Sequence, residues 1–347
     1  MLHFNHRLSL HSSASPSYYT SRIQLCDISY PKTASWKEDK DCCTWDGVVC
    51  DQTTRHVIGL ILSCSWLNGP IHSNSTLFFL PHLRTLNLAG NYFNFFVISF
   101  EFGNFKTLTH LKLSYSMFSG KMLLEISHLS SLTHLKLSYS MFSGKMLLEI
   151  SHLSSLVSLN LSYNFGLLIE TPIWNNLTQL RELLLDDTNM SLFRPNSLMN
   201  LSSSFITFSL NGCYLQGKFE NNILCLPSIQ TLDLGFNSNL DLGSLPKCNW
   251  SSSSLKFLAL SSISFSGELP KSISNLKYLK HLDLFETRFS GEFPNSIGNL
   301  KSMMYLDLSC CNFTGSIPIS LGNLTNYSFG STCKQVYCFN TNFTWKP

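Results

Sequence analysis

The chain has 347 residues, only 13% of them charged, and its formal net charge is +3. The basic residues form no run, which excludes nucleic-acid binding through clustered positive charge. No stretch reaches the 18 or more apolar residues of a membrane span, and the start, MLHFNHRLSLHSS, lacks the continuous apolar core of a signal peptide. Twelve cysteines are many for a cytosolic protein and typical of a secreted one.

Residues 1–56 are predicted to form an N-terminal cap. The first 35 residues carry little pattern, but the segment ASWKEDKDCCTWDGVVCD then places Trp36 and Trp45 beside three cysteines. A zinc site would need a second Cys-x-x-Cys or a His pair at ligand spacing, and none follows, so we expect disulfides, no metal and no other cofactor. A repeat array must cover its first apolar surface, so we expect the tryptophans to form the core of this cap.

Repeats are predicted over residues 57–326. The unit is clearest at 108–131 and 132–155, which are identical at all 24 positions. Its apolar residues follow the spacing L-x-x-L-x-L-x-x-N-x-L, the pattern of a leucine-rich repeat. Eleven such units of 24 to 26 residues can be aligned. The sequence therefore predicts a leucine-rich-repeat solenoid, because one unit cannot bury its apolar face alone and stacked units can.

Within the repeat, the alternation of residues predicts a short strand. Leu111 and Leu113 should face the core while Lys112 points outward, which places a parallel β-sheet on the concave face. Three repeats carry Gly-x-x-Pro after the turn, which favours 3₁₀ or extended segments on the convex side. Ile263 stands where the other repeats have small or polar turn residues, so we expect local irregularity there. Residues 327–347 are predicted to be a non-repeat tail.

A candidate ligand-binding surface follows from the repeat register. Three successive repeats present tyrosines at one position, beside histidines, lysines and then acids: Tyr115, Tyr139, Tyr163, His110, His134, Lys112, Lys136, Glu182, Asp186 and Asp187. Such a strip suits a peptide or a sugar chain; alternatively, the tyrosines only cover the strand edge. The acids have no catalytic partner at fixed spacing and no nucleophile motif occurs, so we expect a binding protein and not an enzyme.

The block SWKEDKDCCTWDGVVCD, followed by repeats such as EISHLSSL and LPKSISNLKYLKHLDL, resembles plant extracellular leucine-rich-repeat proteins, above all the Cf-type receptor-like proteins of disease resistance. This resemblance implies an amino-terminal part of such a receptor, at the extracellular side of the plasma membrane. It also implies a peptide, protein or cell-wall oligosaccharide ligand and a co-receptor kinase as partner of the full-length form. The alternative is a soluble inhibitor similar to the polygalacturonase-inhibiting proteins.

The same resemblance implies a disulfide between Cys43 and Cys50, and leaves Cys42 either paired with Cys26 or free. The N-x-S/T pattern predicts surface glycosylation in a secreted protein. The predicted positions are Asn74, Asn160, Asn176, Asn189, Asn200, Asn249, Asn312 and Asn323.

Overall fold

The computed structural model describes residues 9–12, 26, 28–121, 124–195, 204–219, 221–246, 248–315 and 318–320, and the backbone of 328–329. The chain forms two compact units. The N-terminal unit comprises Met1–Ile169 and Ile173–Leu180, and the C-terminal unit comprises Glu170–Pro172 and Arg181–Pro347. The predicted array of residues 57–326 is thus divided between two units that are described in turn.

The N-terminal unit is built on a parallel sheet of repeat strands. Its strands are β1 (Ser9–Leu10), β2 (Val48–Cys50), β3 (Val57–Ile61), β4 (Leu67–Asn68), β5 (Thr85–Asn87), β6 (His110–Lys112), β7 (Ser119–Lys121), β8 (His134–Lys136), β9 (Met141–Lys145), β10 (Ser158–Asn160) and β11 (Gly166–Leu168). Strands β3, β5, β6, β8 and β10 pair in parallel, and β2 pairs antiparallel with β3. Strands β7, β9 and β11 form a second parallel sheet, and β1 pairs antiparallel with β4.

The C-terminal unit repeats this plan. Its strands are β12 (Glu182–Leu184), β13 (Thr207–Ser209), β14 (Gln216–Lys218), β15 (Thr231–Asp233), β16 (Asn239–Gly243), β17 (Phe257–Ala259), β18 (Ser264–Glu268), β19 (His281–Asp283), β20 (Arg288–Glu292), β21 (Tyr305–Asp307), β22 (Asn312–Thr314) and β23 (Ser328–Phe329). One parallel sheet of this unit contains β12, β13, β15, β17, β19, β21 and β23 in that order. The other contains β14, β16, β18, β20 and β22. Strand β23 lies in the predicted non-repeat tail, so the parallel pairing continues past the expected boundary.

Short 3₁₀ helices lie in the cap and, in most described coils, in the segment that leads back to the next strand of the first sheet. They are Lys32–Ser35, Cys42–Thr44, Thr76–Phe79, Phe100–Asn104, Leu124–His128, Leu148–His152, Asn221–Cys225, Trp250–Ser252, Lys271–Asn275 and Asn295–Asn299. Several begin at a polar cap, as where the Ser99 hydroxyl accepts a hydrogen bond from the backbone N–H of Glu101. In the described part of the chain, no helix has the length and apolar character needed to cross a membrane. The predicted solenoid with a 3₁₀ convex side is confirmed.

The core is formed by the repeat leucines, and the turns are fastened by polar side chains. Leu111 and Leu113 are fully buried while Lys112 is half-buried, as the alternation predicts. Asn91 accepts hydrogen bonds from the backbone N–H groups of Ser65 and Leu67 in the preceding coil, both at 3.0 Å. Its amide also donates to backbone carbonyls, so one buried side chain satisfies several groups that would otherwise be unpaired.

Ile263 cannot make these hydrogen bonds, and the strand pairing next to it in the second sheet is irregular. Strand β17 keeps regular pairing on both sides, so the first sheet is undisturbed. The irregularity lies instead between β16 and β18, where the register shifts between Asp241 and Gly243. The prediction of local irregularity is therefore confirmed only for the second sheet of this unit.

The cap has a stacked tryptophan core and two disulfides. Trp36 and Trp45 are buried, with ring centroids 5.3 Å apart. Cys43 is bonded to Cys50, which ties the 3₁₀ helix Cys42–Thr44 to β2. Cys26 is bonded to Cys64 of the first repeat, not to Cys42, which is a free thiol. The alternative pairing of Cys26 with Cys42 is thus wrong, because the chain near Tyr30 runs beside the first coil and its N–H donates to the Cys64 carbonyl.

Candidate functional site

The three predicted tyrosines form a continuous stack, which we call the tyrosine strip (Tyr115, Tyr139 and Tyr163). The ring centroids of Tyr115 and Tyr139 are 4.1 Å apart and those of Tyr139 and Tyr163 are 3.9 Å apart. Phe165 packs edge-on against Tyr163 at 6.4 Å. Partial burial raises the pKa of Tyr115, so its hydroxyl is protonated at physiological pH.

The tyrosines are not on extended backbone. Tyr115, Tyr139 and Tyr163 have φ values of 55°, 53° and 61°, in the left-handed region that disfavours large side chains. Gly90 and Gly212 occupy the equivalent position in other repeats, with φ values of 68° and 64°. The tyrosine side chains therefore add a steric cost at a position where glycine is the better-fitting residue.

On the strands beside the tyrosine strip, side chains at two further repeat positions line up from one coil to the next, and we call each such line a column. His110 and His134 are in register and their rings stack at 4.3 Å. The Thr109 hydroxyl donates to the Arg84 carbonyl, so its oxygen accepts from Nδ1–H of His110 at 2.9 Å and leaves Nε2 as an acceptor. Partial burial lowers the pKa of His110, which keeps the ring neutral at pH 7.

Lys112 and Lys136 occupy the second column, again in register on β6 and β8. Asn160 follows them on β10. The structure thus brings seven of the ten predicted binding residues together on one face of the N-terminal unit, with aromatic, imidazole and ammonium groups in parallel columns.

The three predicted acids lie in the C-terminal unit. Asp186 is used to fasten the next coil, since its carboxylate accepts from the Ser209 hydroxyl and from the Asn211 backbone N–H. Burial, with the nearby charge of Asp186, raises the pKa of Asp187. Glu182 begins β12 and is half-buried, opposite Thr207. Asp186 is therefore occupied with the turn of the next coil rather than projecting freely toward a ligand.

A second strip, not found by sequence reasoning, lies entirely within the C-terminal unit. Phe257, His281 and Tyr305 take the first position of β17, β19 and β21, and their rings stack at 4.1 and 4.3 Å. The column beside them contains carboxylates, and we call the two columns together the acidic aromatic strip. Its acids are Asp233, Asp283 and Asp307. Reading the first and third strand positions in β17, β19 and β21, and not only in β6 and β8, would have found it.

The environment of the acidic aromatic strip disfavours the charged form of its carboxyl groups. Burial raises the pKa of Asp233 to about 6, and the charges of Asp186 and Asp283 add to the effect. Burial also raises the pKa of Asp283, with the charge of Asp307 contributing. Burial and the charges of Asp307 and Asp283 raise the pKa of Tyr305 to about 12. Its protonated hydroxyl donates to Asp307 at 3.2 Å.

The geometry of both strips limits what they can bind. Tyr139 has a ring against each of its faces, and so has His281, so these rings offer only their edges to solvent. Sugars stack on open ring faces, whereas backbone carbonyls and side chains of a peptide can meet ring edges and hydroxyl groups. The arrangement therefore favours an extended peptide over a stacked sugar ring.

The glycosylation sites differ in exposure. Asn74, Asn176, Asn249 and Asn312 are exposed, whereas Asn160 and Asn189 are half-buried. Asn200 and Asn323 lie outside the described residues. Asn160 stands in the lysine column, so a glycan there would cover the face that carries the tyrosine strip. Glycosylation at all eight positions stays a prediction.

Comparison with known proteins finds family matches for the cap and for two of the repeats. Residues 27–51 match the family described as leucine rich repeat N-terminal domain, and residues 278–300 and 302–324 match the family described as Leucine Rich Repeat. A crystal structure of a TDR receptor is similar in fold, with a TM-score of 0.61 and 26% identity over 76% of this chain and 46% of that one.

Two curated relatives carry the resemblance over most of the chain. Receptor-like protein 6 of Arabidopsis thaliana is 40% identical over 248 residues, which make up 70% of this chain and 23% of the relative. Receptor-like protein Cf-9 of Solanum pimpinellifolium is 37% identical over 267 residues, or 77% of this chain and 28% of the relative. The chain therefore spans about a quarter of the length of the curated relatives that it matches. Over that span, with its cap, repeats and disulfides, the chain belongs to the plant leucine-rich-repeat receptor-like proteins.

Proposed function

We propose that this chain is the extracellular ligand-recognition region of a plant receptor-like protein and that its ligand is a peptide or an extended protein segment. The observation that carries the proposal is the tyrosine strip, flanked on one face by the His110–His134 and Lys112–Lys136 pairs. Three stacked aromatic side chains beside two ammonium groups form an amphipathic surface of the kind that is enriched at binding interfaces. The disulfides support an oxidising, extracellular compartment.

The lysine column adds a charge preference. Lys112 and Lys136 are adjacent on paired strands, about 5 Å apart at the backbone, so a carboxylate between them would relieve their mutual repulsion. The neutral imidazole of His110 beside them provides an acceptor for a backbone N–H group. A peptide with an acidic residue, or with its carboxyl terminus at this point, fits these groups.

The resemblance supports a signalling role in defence or development. In this proposal, ligand binding is relayed by a partner receptor kinase. The alternative is a soluble inhibitor of a pathogen pectinase, similar to the polygalacturonase-inhibiting proteins, whose cap pattern and repeat type are shared. Pull-down of a fungal polygalacturonase by the secreted chain, with inhibition of its activity, would favour that alternative.

Binding of defined probes tests the proposal. The full chain, secreted behind an added signal peptide, is immobilised and panned with a phage library of random dodecapeptides, and in parallel offered oligogalacturonides. We expect selected peptides to bind, and Tyr139→Ala to weaken their binding by about 1–3 kcal/mol. Tyr278→Ala, which removes an exposed tyrosine outside the strip, is the matched control and should leave affinity unchanged.

Two results would overturn the proposal. One is binding of oligogalacturonides with no selected peptide. The other is unchanged peptide affinity when Tyr115, Tyr139 and Tyr163 are all replaced by Ala in a chain that still folds.

A further inference from the structure

We propose that the His110–His134 pair takes up a proton when an anionic group of the ligand binds at the lysine column (Lys112 and Lys136), so that this binding strengthens as the pH falls from 7 to 5. The inference rests on the proposed function, because it assigns a mode of regulation to the same surface. All the residues that carry it belong to the N-terminal unit.

Hydrogen bonds fix both imidazoles in the same tautomer. The Thr133 hydroxyl donates to the Thr109 carbonyl at 2.9 Å, so its oxygen accepts from Nδ1–H of His134, also at 2.9 Å. The Thr109 hydroxyl holds His110 in the same way. Each ring therefore keeps its proton on Nδ1, and a further proton can be taken up only at Nε2. Both residues are half-buried, so part of each side chain is open to solvent.

The stacked arrangement opposes protonation while no anion is bound. The two rings lie within 8° of parallel, with their centroids 4.3 Å apart. Two positive charges at this separation repel each other, so the pair takes up protons one at a time. Partial burial, together with the charge of Lys112, lowers the pKa of His110. In the free protein His110 is therefore neutral at pH 7.

The groups that face the pair from the surrounding strands are neutral or cationic. Lys112 and Lys136 follow two residues after the histidines, on the same side of β6 and β8. Arg84 lies immediately before β5 and is exposed. The flanking strands β5 and β10 present hydroxyl and amide side chains, which are Thr85, Asn87, Ser158 and Asn160. No carboxylate occurs on these four described strands, so a bound anion would add negative charge where the strands supply only positive charge.

An anion bound at the lysine column would favour protonation of the pair. Side chains two residues apart on one strand are separated by about 7 Å, which a carboxylate or sulfonate between them can bridge. The anion offsets the charge of Lys112 and accepts a hydrogen bond from a protonated Nε2. The pKa of the pair is then higher in the complex than in the free protein. Between these two pKa values the complex binds more protons, so affinity must rise as the pH falls through this window.

The test uses two probes, N-acetyl-tetra-cysteic acid amide and the neutral N-acetyl-tetra-asparagine amide, titrated calorimetrically into the secreted full chain. The sulfonates stay ionised from pH 5 to 7, so any pH dependence belongs to the protein. We expect the cysteic acid peptide to bind at least about fivefold more tightly at pH 5 than at pH 7. At pH 6, two buffers of different ionisation enthalpy should reveal net proton uptake. The asparagine peptide should show neither effect.

Two double variants separate the pair from general charge attraction. His110→Gln with His134→Gln should abolish the proton uptake and reduce the pH effect to within about twofold. His56→Gln with His82→Gln is the matched control and should keep the whole effect. The rings of His56 and His82 also stack, at 4.1 Å, but they precede the strands of their coils, whereas the tyrosines follow theirs. Equal pH dependence in both double variants would overturn the inference, as would failure of the cysteic acid peptide to bind at pH 5.

Nuclear magnetic resonance gives a readout that does not need the double variant to fold. The imidazole ring protons of His110 and His134, assigned from the single Gln variants, report the pKa of each ring in the unaltered protein. Saturation with the cysteic acid peptide should raise at least one of these pKa values by about one unit. Two unchanged values would overturn the inference. If dodecapeptides bind through the tyrosine strip while the cysteic acid peptide causes no proton uptake, only this inference fails. If the uptake occurs and no dodecapeptide binds, the anion site stands and the proposed peptide ligand fails.

Discussion

Replacing Asp233 by Asn should stabilise the C-terminal unit at neutral pH. The pKa of Asp233 is raised from 3.8 to about 6, chiefly by burial, so the folded state binds more protons than the unfolded state between these values. Stability must therefore fall as the pH rises through this window, and the cost is fully present above pH 6. Asn keeps an oxygen that can accept from the Gly235 N–H and carries no charge. The expected gain in unfolding free energy at pH 7 is at most about 3 kcal/mol, because one pKa unit corresponds to about 1.4 kcal/mol.

The pH dependence distinguishes this effect from general repacking. The gain should shrink to about 1 kcal/mol at pH 4.5 and nearly vanish at pH 3, where the carboxyl is protonated in both states. Urea unfolding followed by tryptophan fluorescence measures this gain in unfolding free energy, because Trp250 of the same unit is buried. Asp241→Asn is the control, since Asp241 is exposed and accepts the same kind of bond from Gly243. A gain independent of pH, or a loss of stability at pH 7, would refute the electrostatic account.

Three further predictions concern the N-terminal unit. Tyr139→Gly should be less destabilising than Tyr139→Ala by about 1 kcal/mol in urea unfolding, because φ is 53° there; the opposite order would contradict the left-handed backbone. Deleting residues 132–155 should leave a cooperatively folding chain by circular dichroism, because Ser158 then takes the place of His134 opposite His110; loss of folding would contradict modular stacking. Replacing both Cys43 and Cys50 by Ser should cost about 2 kcal/mol of unfolding free energy, and a negligible change would show that this bridge does not stabilise the cap.

The fold was predictable because a repeat fixes its own register. Once Leu111 and Leu113 are assigned to the core, every equivalent position follows by counting, and the stacking of the tyrosine strip follows from identical spacing. The left-handed backbone of the tyrosines was not predictable, because alternation in a strand says nothing about the turn that follows it. The Cys26–Cys64 disulfide depends on where an irregular segment meets the first coil, and no local pattern encodes that contact.

The second strip was missed for a different reason. Its members Phe257, His281 and Tyr305 share only aromatic character, so a search for repeated letters passes over them. Strand β23 was missed in the same way, because the segment around Ser328 lacks the leucines that mark the other strands while its backbone still pairs with Tyr305. Position within the repeat, rather than residue identity, carries the information in both cases.

The two strips have opposite effects on the stability of the folded chain, and this difference bears on their function. Stacked tyrosines cover one another and lower the free energy of the folded chain, so a purely structural role explains part of their presence. The carboxylate of Asp233 has the opposite effect, since its charge opposes folding at neutral pH and a neutral residue of the same shape would fit. Asp233→Asn should therefore raise the unfolding free energy at neutral pH. If the unfolding free energy falls instead, Asp233 supports the fold, and its raised pKa gives no indication of a binding role.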